Sequence, residues 1–465
     1  MKAKLIVSAL ALLLLPLFVN ATHIAGGYIS YSVDPQNPRM YHFTQTIYKD
    51  IASSADEPII NVSMGDGNTV EVPRMEVKAY SKQYSVDTYI WSYAYATTGD
   101  FIVVYTRTGR NLNQINIPAP SDQKSFYIYT NVKVNPLLVN NNGVKLASTP
   151  LFVAYTGEET KHNFISYDAD GDKLTYALVI PKEGTAEGSG MNIPGYSFPE
   201  GLTIDKFGEL RWRAPALKGE YAVAVKITEH RNGQPIGYTV IDFNFHVIDR
   251  AQQPTLTLLN QDRLVVNYDG SILARPDQPF KLEYFLRNVA GANFSLYARQ
   301  FSDLDTLDLA SPNVVMRDSA GGQAVTLTFT PAADLVRQEP YIIGMRGQAD
   351  IGPEQGTYYQ PHYFDWSYAY LVVGEQQPTS TEGELAKAGF LLYPNPVSNR
   401  FVIEAPDMPA MRMQLIDATG KAVGVLSLKP GSNHLTKPAA LAGGLYFYTI
   451  TSRHKPIGTG RLVVQ

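Results

Sequence analysis

Asp168, Asp170 and Asp172 stand at alternate positions in the run Ser166-Tyr167-Asp168-Ala169-Asp170-Gly171-Asp172. Three short carboxylates on one tight glycine-containing turn repel one another, and a hard divalent cation relieves that repulsion. Ca²⁺ is the cation this chemistry points to. It takes about six to eight oxygens, so backbone carbonyls or a second strand would have to complete the shell. The spacing is not that of an EF-hand loop, because the twelfth residue counted from Asp168 is Val179 where that loop needs a Glu. A solvated Asp/Gly hairpin turn without an ion is the alternative reading of the same residues.

A second chemical signal is aromatic. Trp91-Ser92-Tyr93-Ala94-Tyr95 recurs as Trp366-Ser367-Tyr368-Ala369-Tyr370. An aromatic at every second position is either the inner face of a strand or a platform on which a ligand stacks, with Trp91, Tyr93, Trp366 and Tyr368 as the candidates. Enzymatic signatures are missing: there is no G-x-S-x-G, H-E-x-x-H, P-loop or G-x-G-x-x-G. The eight His are scattered, none four residues from another, and Cys is absent. Without Cys there is no disulfide, thiolate metal site or thiol nucleophile. The expectation is a non-catalytic protein. An exported hydrolase, or a carbohydrate-binding accessory to one, is the alternative, since 43 acidic residues always contain some carboxylate pair.

These residues sit in a chain built for strands. Its 465 residues include 30 Tyr, 36 Gly and 30 Pro, a composition that favours short strands and many turns. Tyr221, Val223, Val225 and Ile227 alternate with smaller or polar residues, as do Ile241, Phe243, Phe245 and Val247. Such period-2 runs bury one face of a strand. Turn signals separate them at Gly65-Asp66-Gly67, Asn141-Asn142-Gly143, Asp170-Gly171-Asp172, Arg231-Asn232-Gly233 and Tyr268-Asp269-Gly270. The fold class is therefore all-β, a string of sandwiches. With 39 basic and 43 acidic residues the net charge is −4, which disfavours a nucleic-acid partner. Lys2 and Lys4 precede the apolar run Leu5–Phe18, and Val19-Asn20-Ala21 offers small residues for cleavage. Residues 1–21 read as a signal peptide, and no other apolar run is long enough to span a bilayer, so the mature chain should carry no transmembrane segment.

Composition also places the joints. The body falls into blocks at 22–140, 141–249 and 250–373, with 374–387 as a Gln/Thr/Ser/Glu-rich linker. Residues 388–465 hold eight basic and three acidic residues against an acidic body, which marks them as a separate unit.

That last unit opens Leu392-Tyr393-Pro394-Asn395-Pro396-Val397-Ser398, continues through Gly443-Gly444-Leu445-Tyr446, and closes Ile457-Gly458-Thr459-Gly460-Arg461-Leu462-Val463-Val464. It resembles the type A sorting domain of the type IX secretion system of Bacteroidetes. The resemblance implies a small seven-stranded sandwich recognised by an outer-membrane translocon, often removed by sortase-like machinery that attaches the cargo to the surface. Tyr393, Pro394, Asn395, Pro396, Gly443, Gly444, Tyr446, Gly458 and Gly460 carry the motif. The block 141–249, with Asp168–Asp172, Gly201-Leu202-Thr203-Ile204-Asp205 and Gly208-Glu209-Leu210-Arg211-Trp212, is similar to cadherin-like, immunoglobulin-like repeats of surface proteins associated with gliding motility or adhesion. In 22–140, the run Ile60–Gly67 resembles the G-D-G turn of polycystic-kidney-disease-type domains, and 250–373 looks like a third immunoglobulin-like sandwich. Together these imply an exported adhesin, secreted or held at the cell surface, that binds an extracellular polymer or host or matrix ligand.

Overall fold

The computed structural model describes residues 24–464, leaving out 54–55, 80–83, 136–140, 149–152, 185–189, 250–252, 268–269, 311, 338, 351–363, 375–384, 386–387, 418–420, 439–440 and 454. The leader expected at 1–21, most of the linker expected at 374–387 and the Tyr268-Asp269 part of one turn lie outside the described residues. Strands make up 62% of the structure and helix 4%, so the chain is all-β. No helix among the described residues is long and apolar enough to cross a membrane. The chain divides into two compact units, residues up to 264 with 275–373, and 265–274 with 374–465.

The first unit begins with strands β1 (Ile24–Asp34), β2 (Asn37–Asp50), β3 (Ile59–Ser63), β4 (Thr69–Ala79), β5 (Tyr84–Ala94), β6 (Gly99–Arg107) and β7 (Phe126–Val134). They pair in the order β1-β2-β5-β4-β3-β6-β7. Next come β8 (Glu159–Asn163), β9 (Lys173–Val179), β10 (Leu202–Ile204), β11 (Glu209–Arg213), β12 (Gly219–Arg231) and β13 (Gln234–Ile248). β7 pairs with β13, β13 with β12, and β12 with β9, so one sheet runs across the joint expected at 140–141. β13 also pairs with β1, which closes β1–β7 and β13 into a ring.

The closure explains the glycine pair in β1. A Cβ on Gly26 would lie 2.6 Å from Phe243 Cβ, and one on Gly27 would lie 2.9 Å from the Thr46 carbonyl. Only residues without a side chain let β1 approach β2 and β13 together. Ile29, Tyr31, Phe43, Val62, Val103 and Ile128 fill the ring. Phe164, Trp212, Tyr221, Val223, Phe243 and Phe245 form a second core beside it. Each fully buried large side chain contributes about 1.5–3 kcal/mol.

The third sandwich consists of β14 (Thr255–Leu258), β15 (Phe280–Arg287), β16 (Ser295–Ser302), β17 (Asn313–Ser319), β18 (Gly322–Phe329), β19 (Tyr341–Asp350) and β20 (Phe364–Val373). One sheet runs β14-β15-β18-β17, and in the other β16, β19 and β20 lie side by side. It is packed on the preceding block rather than strung from it. The Tyr370 hydroxyl donates to Glu209 at 2.6 Å, its ring stacks on Phe207 at 4.2 Å, and Ile165, Ile342 and Tyr370 share an apolar cluster.

The second unit carries β21 (Leu391–Tyr393), β22 (Arg400–Ala405), β23 (Met411–Asp417), β24 (Ala422–Leu428), β25 (Gly431–Thr436), β26 (Gly444–Ser452) and β27 (Lys455–Val464). Two sheets, β21-β22-β25 and β24-β23-β26-β27, enclose Phe401, Ile403, Met413, Leu415, Ile450 and Leu462.

Candidate functional site

The three aspartates are brought together as their spacing suggested: one oxygen from each of Asp168, Asp170 and Asp172 lies within 4.8 Å of the others. The turn holds them by its own backbone. Asp168 Oδ1 accepts from the amides of Asp170 at 2.8 Å and Asp172 at 3.1 Å. Asp168 is only 4% exposed, and no donor reaches its Oδ2.

A fourth carboxylate joins them. Tyr221, Val223, Val225 and Ile227 face the interior from β12, and the same alternation turns Glu229 inward. Glu229 is 0% exposed and no donor reaches either of its carboxylate oxygens. A Cβ on Gly237 would stand 2.7 Å from Glu229 Oε2, so glycine at 237 makes the room it occupies. Burial, and then the charge of Asp168, push Glu229 well above the usual carboxyl range. Burial raises Asp168 to about 6. Buried oxygens without donors carry a desolvation penalty that a proton or a cation removes.

The outer part of the cluster is already partnered. Asn142 donates its backbone N–H and its Nδ2 to Asp170, both at 2.7 Å. Arg231 forks onto Asp172, with Nε 2.8 Å from Oδ1 and Nη2 on Oδ2, and reaches Asp170 at 3.3 Å. Asn142 Oδ1 in turn accepts from the Val33 amide at 3.1 Å, and the Gly143 amide donates to the Tyr31 carbonyl at 3.0 Å. The cluster thus ties the 168–172 turn, β12, the 141–143 joint and β1 together. Its donor set is all oxygen, as a hard cation requires. The unpartnered Asp168 Oδ2 and Glu229 oxygens are the places left for one, while Arg231 holds much of the charge of Asp170 and Asp172. Sequence reading missed Glu229, Asn142 and Arg231. The parity of β12 was the available signal for Glu229, whereas nothing in the sequence tied Asn142 or Arg231 to this turn.

The aromatic repeats occupy different surroundings. Trp91 is buried, and its ring stacks on Phe43 with centroids 5.1 Å apart. Tyr93 donates to Asp66 at 2.6 Å and accepts from Asn68 at 2.8 Å. Trp366 and Tyr368 are half-buried and stack on each other at 5.6 Å, with the Arg346 guanidinium 5.7 Å from the Trp366 ring.

In the C-terminal sandwich the two ends of the motif meet. Asn395 donates Nδ2 to the Arg461 carbonyl and accepts from the Val463 amide, each at 2.8 Å. One residue beyond Pro396, the Val397 amide donates to the Val463 carbonyl at 2.7 Å. Pro394 and Pro396 thereby fix the chain on either side of this clasp. Tyr393 is exposed and donates to Glu404 at 2.8 Å, and the Ser432 and Tyr393 hydroxyls hold the Glu404 carboxyl below its usual range. Gly443 and Gly444 lead into β26, where Tyr446 donates to the Ala442 carbonyl at 3.1 Å. Gly458 and Gly460 lie buried in β27, and a Cβ on Gly460 would stand 2.3 Å from the Tyr448 ring.

Residues 391–465 match the secretion system C-terminal sorting domain family. The C-terminal unit is a sorting domain of the type IX secretion system, which implies export followed by release or attachment at the cell surface. No curated protein shows significant sequence similarity to the chain. Among solved structures, Sidekick-1 immunoglobulin domains 1–5 are 10% identical over 96% of this chain and 95% of that one, with a TM-score of 0.17. Domains 4 and 5 of the S-layer protein SbsC are 12% identical over 50% of this chain and 96% of that one, with a TM-score of 0.15. At such TM-scores these likenesses carry no inference.

Proposed function

We propose that this is a non-catalytic adhesin, delivered by the type IX translocon and its sortase-like machinery and displayed at or released from the cell surface. The observation that carries the reading is a sorting domain closing a chain of packed β-sandwiches. In this reading residues 22–140, 141–249 and 250–373 form the binding body, 374–387 the linker and 388–465 the segment read by the secretion machinery. The Asp168, Asp170 and Asp172 cluster holds Ca²⁺ with Glu229 as a fourth carboxylate, and the ion braces the joint on which the body's shape depends. Support comes from the buried oxygens of Asp168 and Glu229 that no donor satisfies.

The test is cellular. Deleting 388–465 should leave the body folded and trapped behind the outer membrane, and cells should lose adherence to the surfaces the intact strain binds. Normal surface levels in that deletion would refute the delivery reading. Unchanged adherence in a full knockout would refute the adhesin reading.

A further inference from the structure

The sorting domain has two outward sheet faces, and they differ in chemistry. Side chains alternate across a strand, so the neighbours of the core residues Met413, Leu415, Ile450 and Leu462 point away from the core. On the sheet β24-β23-β26-β27, register puts Ala422, Ile416, Phe447 and Arg461 in one outward row, with Leu445 and Val463 paired beside it. Val425 stands opposite Gln414 on the same face. Val425, Leu445, Phe447 and Val463 are 38–60% exposed, so the domain's own packing does not call for apolar residues there. A contiguous exposed apolar patch of this kind marks a surface that another molecule covers.

The charges on this face have one sign. Among the described residues it carries Arg412 and Arg461 and no carboxylate. Residues 388–465 as a whole hold eight basic and three acidic residues. The outward face of β21-β22-β25 is different, because its polar groups satisfy one another: Glu404 accepts from the Tyr393 hydroxyl at 2.8 Å and from the Ser432 hydroxyl at 2.6 Å. The apolar pairs also come from the two motif segments that close the domain, 443–447 and 457–464. Asn395, from the motif's opening, fixes the backbone of Arg461 and Val463 and so holds the face in register. A folded signal is read through the side chains that its core leaves outside.

We propose that this face, centred on Leu445, Phe447 and Val463, is where the sorting domain docks on its outer-membrane receptor, a partner whose complementary surface is apolar and rimmed with carboxylates. The proposal rests on the delivery reading above and names the surface that carries it out.

The experiment follows the full chain in cells that export it and measures surface and periplasmic fractions for each variant. Leu445→Ser combined with Phe447→Ser should lower the surface level about tenfold and retain the protein in the periplasm, since docking loses the burial of two apolar side chains. Arg412→Glu, which removes no large apolar side chain, should lower it as well by setting a carboxylate against carboxylates. On the opposite sheet, Leu391→Ser and Arg400→Glu should reach the surface normally. Thermal melts of the purified variants check that the domain folds, and Arg412→Glu decides alone if the double variant melts early. Normal surface levels in the face variants, or equal retention of the opposite-sheet variants, would overturn the proposal. Self-association of the purified protein that the double variant abolishes while export is unchanged would give the face to a second copy and overturn it too. If the 388–465 deletion is retained while the face variants are exported, the docking face fails and the delivery reading stands. If the deletion itself reaches the surface normally, both fail.

Discussion

Replacing Glu229 by Gln removes one buried ionisable group and keeps the shape of the side chain. In the wild-type protein with chelator present, three of the four oxygens of Glu229 and Asp168 have no donor from any other group, and a proton on one carboxyl is shared with the other by a hydrogen bond between them. Burial raises the Asp168 carboxyl to about 6. Glu229 is buried more completely and is displaced upward as well. A buried polar group without its partner costs about 1–3 kcal/mol, so at pH 8 without Ca²⁺ the amide should stabilise the first unit by about that much, a rise in Tm of roughly 1–4 °C for a unit of this size. Millimolar Ca²⁺ should act in the opposite sense on the comparison. It adds about 0.4–1.4 kcal/mol to the wild type at one to ten times Kd, and little to the variant. The assay is a set of thermal melts of the mature protein, wild type and Glu229→Gln, each with chelator and with Ca²⁺. Asp170→Asn serves as the variant that loses a ligand from the turn itself. A variant that melts lower than wild type in chelator, or one that keeps the full Ca²⁺ response, would refute the assignment of Glu229 as a buried carboxylate awaiting a cation.

Further expectations follow from the same geometry. In chelator, Asp168 holds a proton in the folded state that the unfolded chain releases near pH 4, so its contribution to stability is lost as the pH rises through about 6, and Glu229, raised by burial, adds a loss of the same sign. Melts between pH 4 and 8 should show this slope in wild type and a shallower one in Glu229→Gln; equal slopes would refute it. Arg110 and Asp242 form a hydrogen-bonded pair with side chains 2% and 1% exposed. Asp242→Ala should cost about 3–5 kcal/mol by leaving the guanidinium buried without its partner, read by denaturant unfolding, and a loss below about 1 kcal/mol would contradict this. Gly460→Ala puts a methyl into the Tyr448 ring, so the sorting domain should lose about 1–3 kcal/mol, visible as an earlier calorimetric transition, and an unshifted transition would contradict the packing.

Much of the architecture was legible before any coordinates. Period-2 runs such as Tyr221–Ile227 and Ile241–Val247 require strands with one apolar face, because side chains alternate across a strand whatever the fold. Clustering of Asp168, Asp170 and Asp172 was legible for the same local reason: five consecutive residues around a glycine turn cannot separate their carboxylates far. The C-terminal motif was legible because its glycines and prolines answer local demands, the close approach of Gly460 to Tyr448 among them.

Tertiary structure alone decided which strands became neighbours. Pairing is set by long-range register, so no local pattern announced that β13 would join β1 and β7 and carry one sheet across the 140–141 joint. The same pairing brings Asn142 onto Asp170 and puts Arg231 on Asp172. It also carries Glu229 to Asp168, 61 positions away in the chain. Sequence by itself determined the strands, the acidic turn and the sorting domain. Folding decided which buried carboxylates were left without donors, because a charge is stranded only by what packs around it.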